Sequence, residues 1–345
     1  MTWVALLLAN RSQVLRRLVL TELLGRSEND PEVRELDSIL EDDPLLGPLL
    51  GKQSHDGSWK ETDYGDYSSK NKIRATSFVL QRLAYAGLSS DHPAIRKGVE
   101  YIFSKQHRDG SWSVPQSYDG VSLDGGAYTM IPLQTSIPLL GISASGHSED
   151  ERAELAYDWL TERRLDDGSW PTGMIGNVFG YQAGYRRMPN SQWGCRTNTT
   201  LALSCLGYHP RRSKSEEARR ALNMLLVRET RDRQNVGFNV ARTVGYEPHR
   251  GHFTYHARFD PALILDLSWR MGADTSDSRV ADLVDWFSDI QGSYGIWEYV
   301  PRPEVSHWVT FDILRSLSKT DMNQDWVTEE VRTPFRAYRR KRKRF

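Results

Sequence analysis

The sequence predicts an all-α fold made of two helix series, one buried and one facing outward. Two observations carry that prediction. First, a turn pattern recurs about every fifty residues, the mark of a repeat architecture. It stands at Gln53-Ser-His-Asp56-Gly57-Ser58-Trp59 and at Gln106-His-Arg-Asp109-Gly110-Ser111-Trp112. It returns at Arg164-Leu-Asp-Asp167-Gly168-Ser169-Trp170 and at Gln291-Gly-Ser-Tyr-Gly295-Ile-Trp297. Second, the helical segments alternate in composition. Those at 72–87, 127–143, 195–207, 260–272 and 306–318 are rich in Leu, Ile, Ala and Thr, with few charges. Those at 32–43, 93–106, 149–164, 214–228 and 278–291 carry many charges. A helix apolar all round is buried, and a one-faced helix is outer. Alternation with short returns builds two concentric layers.

The physics of the turn is readable. Glycine takes a positive φ at little steric cost, and an Asp carboxylate bonds amides two residues on. The helix therefore ends near the Gln, and the chain reverses at Asp-Gly. The Trp folds back so that its apolar face covers the helix ends. A Gln amide beneath the indole donates and accepts together, tying orphan backbone groups. Each copy reads as a clamp between helices, a stability device and not chemistry.

These Q-x-x-D-G-S-W and Q-x-x-x-G-x-W patterns resemble the QW motif of the squalene–hopene cyclase and oxidosqualene cyclase family. Protein prenyltransferase β subunits share that family's fold with weaker motifs. The four copies lie within residues 53–297. With Leu7-Leu-Ala-Asn-Arg-Ser-Gln-Val-Leu-Arg-Arg17 and Ser306-His-Trp-Val-Thr-Phe-Asp-Ile-Leu-Arg-Ser-Leu317, they make the chain similar to the short prenyltransferase and squalene oxidase repeat proteins. The resemblance implies an α/α toroid, a closed double ring of about five to six helix pairs. It implies one domain over residues 1–335, with N-terminal helices in 1–30. It also implies an isoprenoid or similar apolar substrate in a central cavity, with squalene-cyclase-like or prenyl-transfer chemistry. The alternative is a non-catalytic toroid that binds a protein, a lipid or nucleic acid.

Composition fits a globular protein: 345 residues, 39% apolar, 26% charged, eleven Trp and two Cys. Cys195 and Cys205 are too few for a disulfide framework and suit a reducing compartment. The apolar run Trp3 to Ala9 is too short to span a bilayer and has no basic start or cleavage site. A cytoplasmic protein, peripheral at the membrane, is the expectation. The net charge is zero, yet residues 336–345 carry seven Lys/Arg and no acid, so the rest sums to −7. Such a block reads as a disordered, solvated tail. Against an anionic bilayer each basic residue contributes about 1 kcal/mol, so the tail is also a candidate membrane contact. Nucleic acid is the weaker partner, because the body shows no basic face.

In chain order, residues 3–25 form two short helices or one kinked helix, stopped by Gly25. Pro31 opens a helix that Pro44 ends. A polar loop at 60–71 precedes helix 72–87, and helix 93–106 runs into the second turn. Pro132 and Pro138 fall inside 127–143, so that helix is kinked or starts later. Residues 231–238 form a turn without Trp. Asp260-Pro261 opens helix 260–272 as cap and first residue. The loops 171–194 and 235–256 are long, hence functional candidates.

The resemblance directs the search for chemistry. Class II terpenoid cyclases protonate an alkene or epoxide with the middle Asp of Asp-x-Asp-Asp, an acid kept neutral by burial and neighbours. The nearest run, Leu40-Glu41-Asp42-Asp43, lacks the first Asp and reads as a helix end. No Asp-Asp-x-x-Asp magnesium site occurs. The prenyltransferases' zinc set of Asp, Cys and His points to Asp260, Cys195 and His307, although Trp193 stands where that pattern wants Asp. No resident cofactor is expected, with zinc or magnesium as the alternative. His307, Cys195 and Asp260 are the acid/base or metal candidates. Polar groups at the starts of buried helices give the binding set: Arg74, Thr76, Tyr128, Gln134, Arg196 and Asn198, with Tyr255, His256 and Arg258. Arg74, Arg196 and Arg258 would grip a diphosphate or carboxylate. Trp308 and other aromatics would face a carbocation.

Overall fold

Each of the four turns folds into the same hydrogen-bonded clamp. The indole N–H donates to the carbonyl ten residues upstream, in the last turn of the preceding helix. Trp59 bonds Leu49, Trp112 bonds Ile102, Trp170 bonds Leu160 and Trp297 bonds Phe287, at 2.7–2.9 Å. These are carbonyls that a helix end leaves without an internal partner. The Trp main-chain N–H donates forward to a threonine on the next helix: Thr76, Thr135, Thr199 or Thr310. Gln106 donates to Gly110 O and, across to the next repeat, to Arg152 O at 2.8 Å. Gln53 does the same with Gly57 and Ala94. All four indoles are buried. Glycine is required in the turn. Gly110 has φ of 88°, and a Cβ there would lie 2.4 Å from Leu155 O.

The computed structural model describes residues 3–60, 71–113, 117–118, 121–122, 132–171, 174–175, 178–179, 187–226, 231–247, 259–292 and 294–327. The N-terminal helices are α1 (Trp3–Leu8), α2 (Gln13–Leu18), α3 (Pro31–Ser38) and α4 (Gly47–Leu50). The inner series is α5 (Lys72–Tyr85), α7 (Pro132–Ile142), α9 (Arg196–Gly207), α12 (Pro261–Arg270) and α14 (Ser306–Thr320). The outer series is α6 (Pro93–Phe103), α8 (Glu151–Glu162), α10 (Glu216–Leu226) and α13 (Ser278–Ile290). A further short helix, α11 (Phe238–Thr243), precedes α12. Consecutive inner helices pack side by side, α5 on α7, α7 on α9, α9 on α12 and α12 on α14. The short α11 touches both α14 and α5, which closes the ring, and the N-terminal helices back onto α14. The fold is an all-α toroid, as expected. Its only strands among the described residues are two short hairpins, β1–β2 (Ser117–Tyr118, Val121–Ser122) and β3–β4 (Met174–Ile175, Val178–Phe179).

Burial separates the two series. Every residue of α7 is buried, and nearly all of α9 and α14. On α6 only one stripe is: Ala94, Ile95, Gly98, Val99, Ile102 and Phe103. No described helix is long and apolar enough to cross a membrane.

Three expectations need correction, and a fourth is described only in part. Of the helix placed at 127–143 the described residues are Pro132–Ile142, with Pro138 inside it. Residues 127–131 lie outside the described residues. The helix placed at 32–43 stops at Ser38, and residues 40–42 form a separate tight turn. The loop placed at 235–256 contains α11, too short for periodicity to announce, with Gly237 at φ 78° as its N-cap. Thr76 belongs to the first clamp, not to a binding surface. It is fully buried and accepts the Trp59 N–H at 3.0 Å.

Candidate functional site

The inner ring encloses a cavity of about 60 Å³, set in its polar half. Its chemistry comes from charged residues planted in apolar helices. On α12 these are Asp266 and Arg270, and on α14 Asp312 and Arg315, at helical spacings that put each pair on one face. Arg270 Nε bonds Asp266 at 2.7 Å, and Arg315 pairs with Asp312 and reaches Asp266 at 3.8 Å. Glu22 meets Arg315 at 3.5 Å. Tyr85, Tyr208, Gln81 and Ser204 complete the polar wall, while Leu140, Leu263 and Leu267 are apolar. Arg270 lies over the Tyr208 ring at 4.4 Å and Arg315 over Tyr85 at 5.6 Å. Asp260 joins from the start of α12. It accepts from Gly237 N and Asn239 N of the α11 start and from Ala262 N of its own helix. One carboxylate thus caps two helices. At the other end of α11, Arg82 of α5 donates to Thr243 O at 2.6 Å.

Electrostatics divide these acids. Burial works against the charged form of Asp266, but Arg270 and Arg315 outweigh it and hold that carboxyl below the usual range. Burial raises Asp312, with the Asp266 and Glu22 carboxylates adding to it and Arg315 opposing. Burial pushes Asp260 up to about 7, despite its three amide donors. Three buried carboxylates and Glu22 face two buried guanidiniums, so a proton stays in the cluster near neutrality.

This has a measurable consequence. Folded Asp260 keeps its proton to about pH 7, whereas the unfolded chain releases it near 3.8. The folded state binds more protons in that window. The stability gained is complete below the unfolded value and is lost as pH rises through the folded one. Asp312 acts in the same sense. The urea midpoint is expected to fall between about pH 4.5 and 7.5, and Asp260→Asn to flatten that slope. A midpoint that rises across the window in the parent protein contradicts the assignment.

The structure disperses most of the residues singled out from sequence. Of His307, Cys195 and Asp260, only Asp260 faces the central cavity. Cys195 is fully buried at the N-cap of α9, its N–H bonded to Trp170 O. His307 is half-buried, with Nδ1 3.0 Å from Asn10 Nδ2, and burial lowers its pKa. Among the described residues, no three His, Cys, Asp or Glu side chains form a group that could hold a metal ion. Arg74 and Arg196 rest over Phe78 and Phe259. Asn198 caps the start of α7 by accepting the Leu133 N–H at 2.7 Å, and Gln134 is buried beside it in sequence on that helix. Tyr128, Tyr255, His256, Arg258 and the tail 336–345 lie outside the described residues. Of the run Glu41-Asp42-Asp43, the last residue is structural and the first two are exposed. Asp43 is buried and accepts from Ser12 Oγ, Val14 N and Leu45 N.

Trp308 lines a second, larger cleft of about 450 Å³ at the seam of the ring. Its walls are the Asn10–Ser12 turn, the 43–49 segment and residues 244–246 beyond α11. The Trp308 ring lies 6.2 Å from Tyr85, so one aromatic pair separates this cleft from the central cavity.

Comparison with known proteins agrees with this architecture. Residues 39–182 match the squalene-hopene cyclase C-terminal domain. The squalene–hopene cyclase of Zymomonas mobilis is 33% identical over 125 residues, which cover 35% of this chain and 18% of that enzyme. Lanosterol synthase of Candida albicans is 29% identical over 138 residues, covering 39% and 18%. The matched stretch is thus less than a fifth of either relative's length. Type II terpene cyclase MstE from Scytonema superposes over 85% of this chain and 76% of its own, with a TM-score of 0.50 and 18% identity. A variant of MstE in complex with geranylgeranyl dihydroxybenzoate gives the same score at 17% identity, covering 85% and 75%. At that identity the likeness concerns the fold. The clamp turns, the double ring and these matches together make the chain terpenoid-cyclase-like in fold, with its sequence similarity to the squalene–hopene cyclases concentrated in residues 39–182.

Proposed function

We propose that this terpenoid-cyclase-like protein binds an isoprenoid chain at the centre of the ring and protonates it from Asp312. The observation that carries the reading is the acid cluster of the central cavity, where Asp312 is raised by burial and faces Arg315. In the step itself, the Asp312 proton forms a C–H bond with an alkene carbon as the π bond opens. The other carbon becomes cationic, and the carboxylate left behind is held by Arg315. The faces of Tyr85 and Tyr208 that Arg315 and Arg270 leave uncovered would meet the cation. Ring closure then moves the cation, and loss of a proton ends the reaction with no net redox change. The names of the relatives and the geranylgeranyl ligand of MstE support the substrate class. Contact of the 336–345 tail with an anionic bilayer would bring the protein to a substrate dissolved there.

The cavity must widen for this. Ligand pockets measure about 300–1,000 Å³, against about 60 Å³ for this one. The short α11, tied at its ends by Asp260 and Arg82 and packed on α5 and α14, is the element whose displacement would enlarge it. The same small volume favours a second reading, a toroid that binds without turnover. The test incubates the full chain with squalene, oxidosqualene and geranylgeranylated arenes, with products read by mass spectrometry after extraction. A cyclised product is expected. Retention of an intact isoprenoid on the protein without product selects the second reading. No product and no retained isoprenoid overturns both.

A further inference from the structure

The seam cleft has features that the central chemistry does not use. At about 450 Å³ it is the size of a ligand site, and its lip is apolar: Pro44 and Pro48 are exposed and Leu45 is half-buried. Leu49 and Val244 continue that wall inward. Its own carboxylate is fully engaged, since Asp43 already accepts three donors. Glu304, on the opposite rim, has Arg302 at 3.9 Å. Arg82 is held by Thr243 O. Beside the exposed Tyr246 hydroxyl, which can donate or accept, two donors remain without a partner in the protein. Arg11 is exposed and makes no ion pair or hydrogen bond, and Trp308 lines the cleft with no hydrogen bond to its indole N–H.

We propose that the seam cleft is a binding site for a single-chain anionic amphiphile, its tail on the Pro44–Leu49 lip and its acceptor head on Arg11 and Trp308. The lining dictates the chemistry. Apolar wall needs an apolar chain, and two unpartnered donors, one charged, need an anionic acceptor such as a carboxylate. This site is independent of the central chamber and stands whether or not Asp312 is an acid.

The test uses the full chain with oleate, its neutral counterpart oleyl alcohol, and a diazirine-bearing fatty acid for photolabelling. Arg11→Glu leaves no fold contact behind, so it is expected to weaken oleate roughly fivefold and leave oleyl alcohol unchanged. Pro48→Asp removes lip surface at an exposed first-turn position that tolerates an acid. It is expected to weaken both ligands severalfold at unchanged melting temperature. The photolabel is expected on peptides containing 43–49 or 244–246. The proposal is overturned if oleate does not bind, if neither variant changes binding, or if the label falls instead on the open groove between His55 and Ser104. Labelling of Leu263 or Leu267 alone also overturns it, while leaving the central-chamber reading intact.

Discussion

Trp112→Ala is expected to unfold the ring near ambient temperature. Trp112 is fully buried, stacks near Phe103 at 6.4 Å, and donates to Ile102 O at 2.9 Å. Truncating a buried Trp costs about 3–5 kcal/mol through lost contacts and the cavity left behind. The orphaned Ile102 carbonyl adds about 1–3 kcal/mol if water does not reach it. Set against a total stability of about 5–15 kcal/mol, this is most of the margin. Trp112→Phe keeps most of the volume but not the N–H, so about half the loss should return. Urea unfolding followed by circular dichroism measures both. A loss under about 1 kcal/mol for the alanine variant would show that the clamp is decoration.

The second large effect is on turnover. Asp312→Asn preserves shape and one donor but cannot deliver a proton, so product formation is expected to fall at least a thousandfold, the upper range for a general acid. Stability separates this from structural damage. If Asp312 were an ionised partner of Arg315, neutralising it would strand a buried guanidinium and cost about 3–5 kcal/mol. Burial raises its pKa to about 6, so it is protonated below that pH, and measured there the cost is small. The expected pair of results is a near-parental urea midpoint with lost turnover, and a parental rate that falls as pH rises past the Asp312 pKa. A variant that keeps its rate, or a parental rate that climbs with pH over that range, removes Asp312 from the mechanism.

The clamps were legible in sequence because they are local. Gln, Asp, Gly, Ser and Trp lie within seven residues, and each makes its bond inside the turn or one helix away. Binary composition likewise separated inner from outer helices. The central site was harder to see. Asp266, Arg270, Asp312 and Arg315 are spread over two helices separated by an outer one, and they meet only when the ring closes. A signal was present: charges at i,i+3 and i,i+4 inside Pro261–Arg270 and Ser306–Thr320, helices otherwise apolar enough to be inner. Attention to helix starts instead selected Thr76 and Asn198, whose side chains satisfy backbone at a clamp and a cap, and Cys195, which is bonded there through its main-chain N–H. α11 escaped for another reason. At six residues its formation depends on Asp260 and Arg82, far along the chain on both sides.

The clamp also determines what light emission from this protein reports. Four of its eleven tryptophans sit in dry, equivalent surroundings, each indole bonded to a main-chain oxygen. Their fluorescence should be blue while the ring stays whole, because no solvent relaxes around them. When one repeat opens, its neighbours lose their cross-bonds as well, and all four should shift to the red together. Intrinsic emission is therefore a gauge of global ring integrity. A ligand at the seam would be visible only as the minor contribution of Trp308, best isolated by subtracting the spectrum of Trp308→Phe.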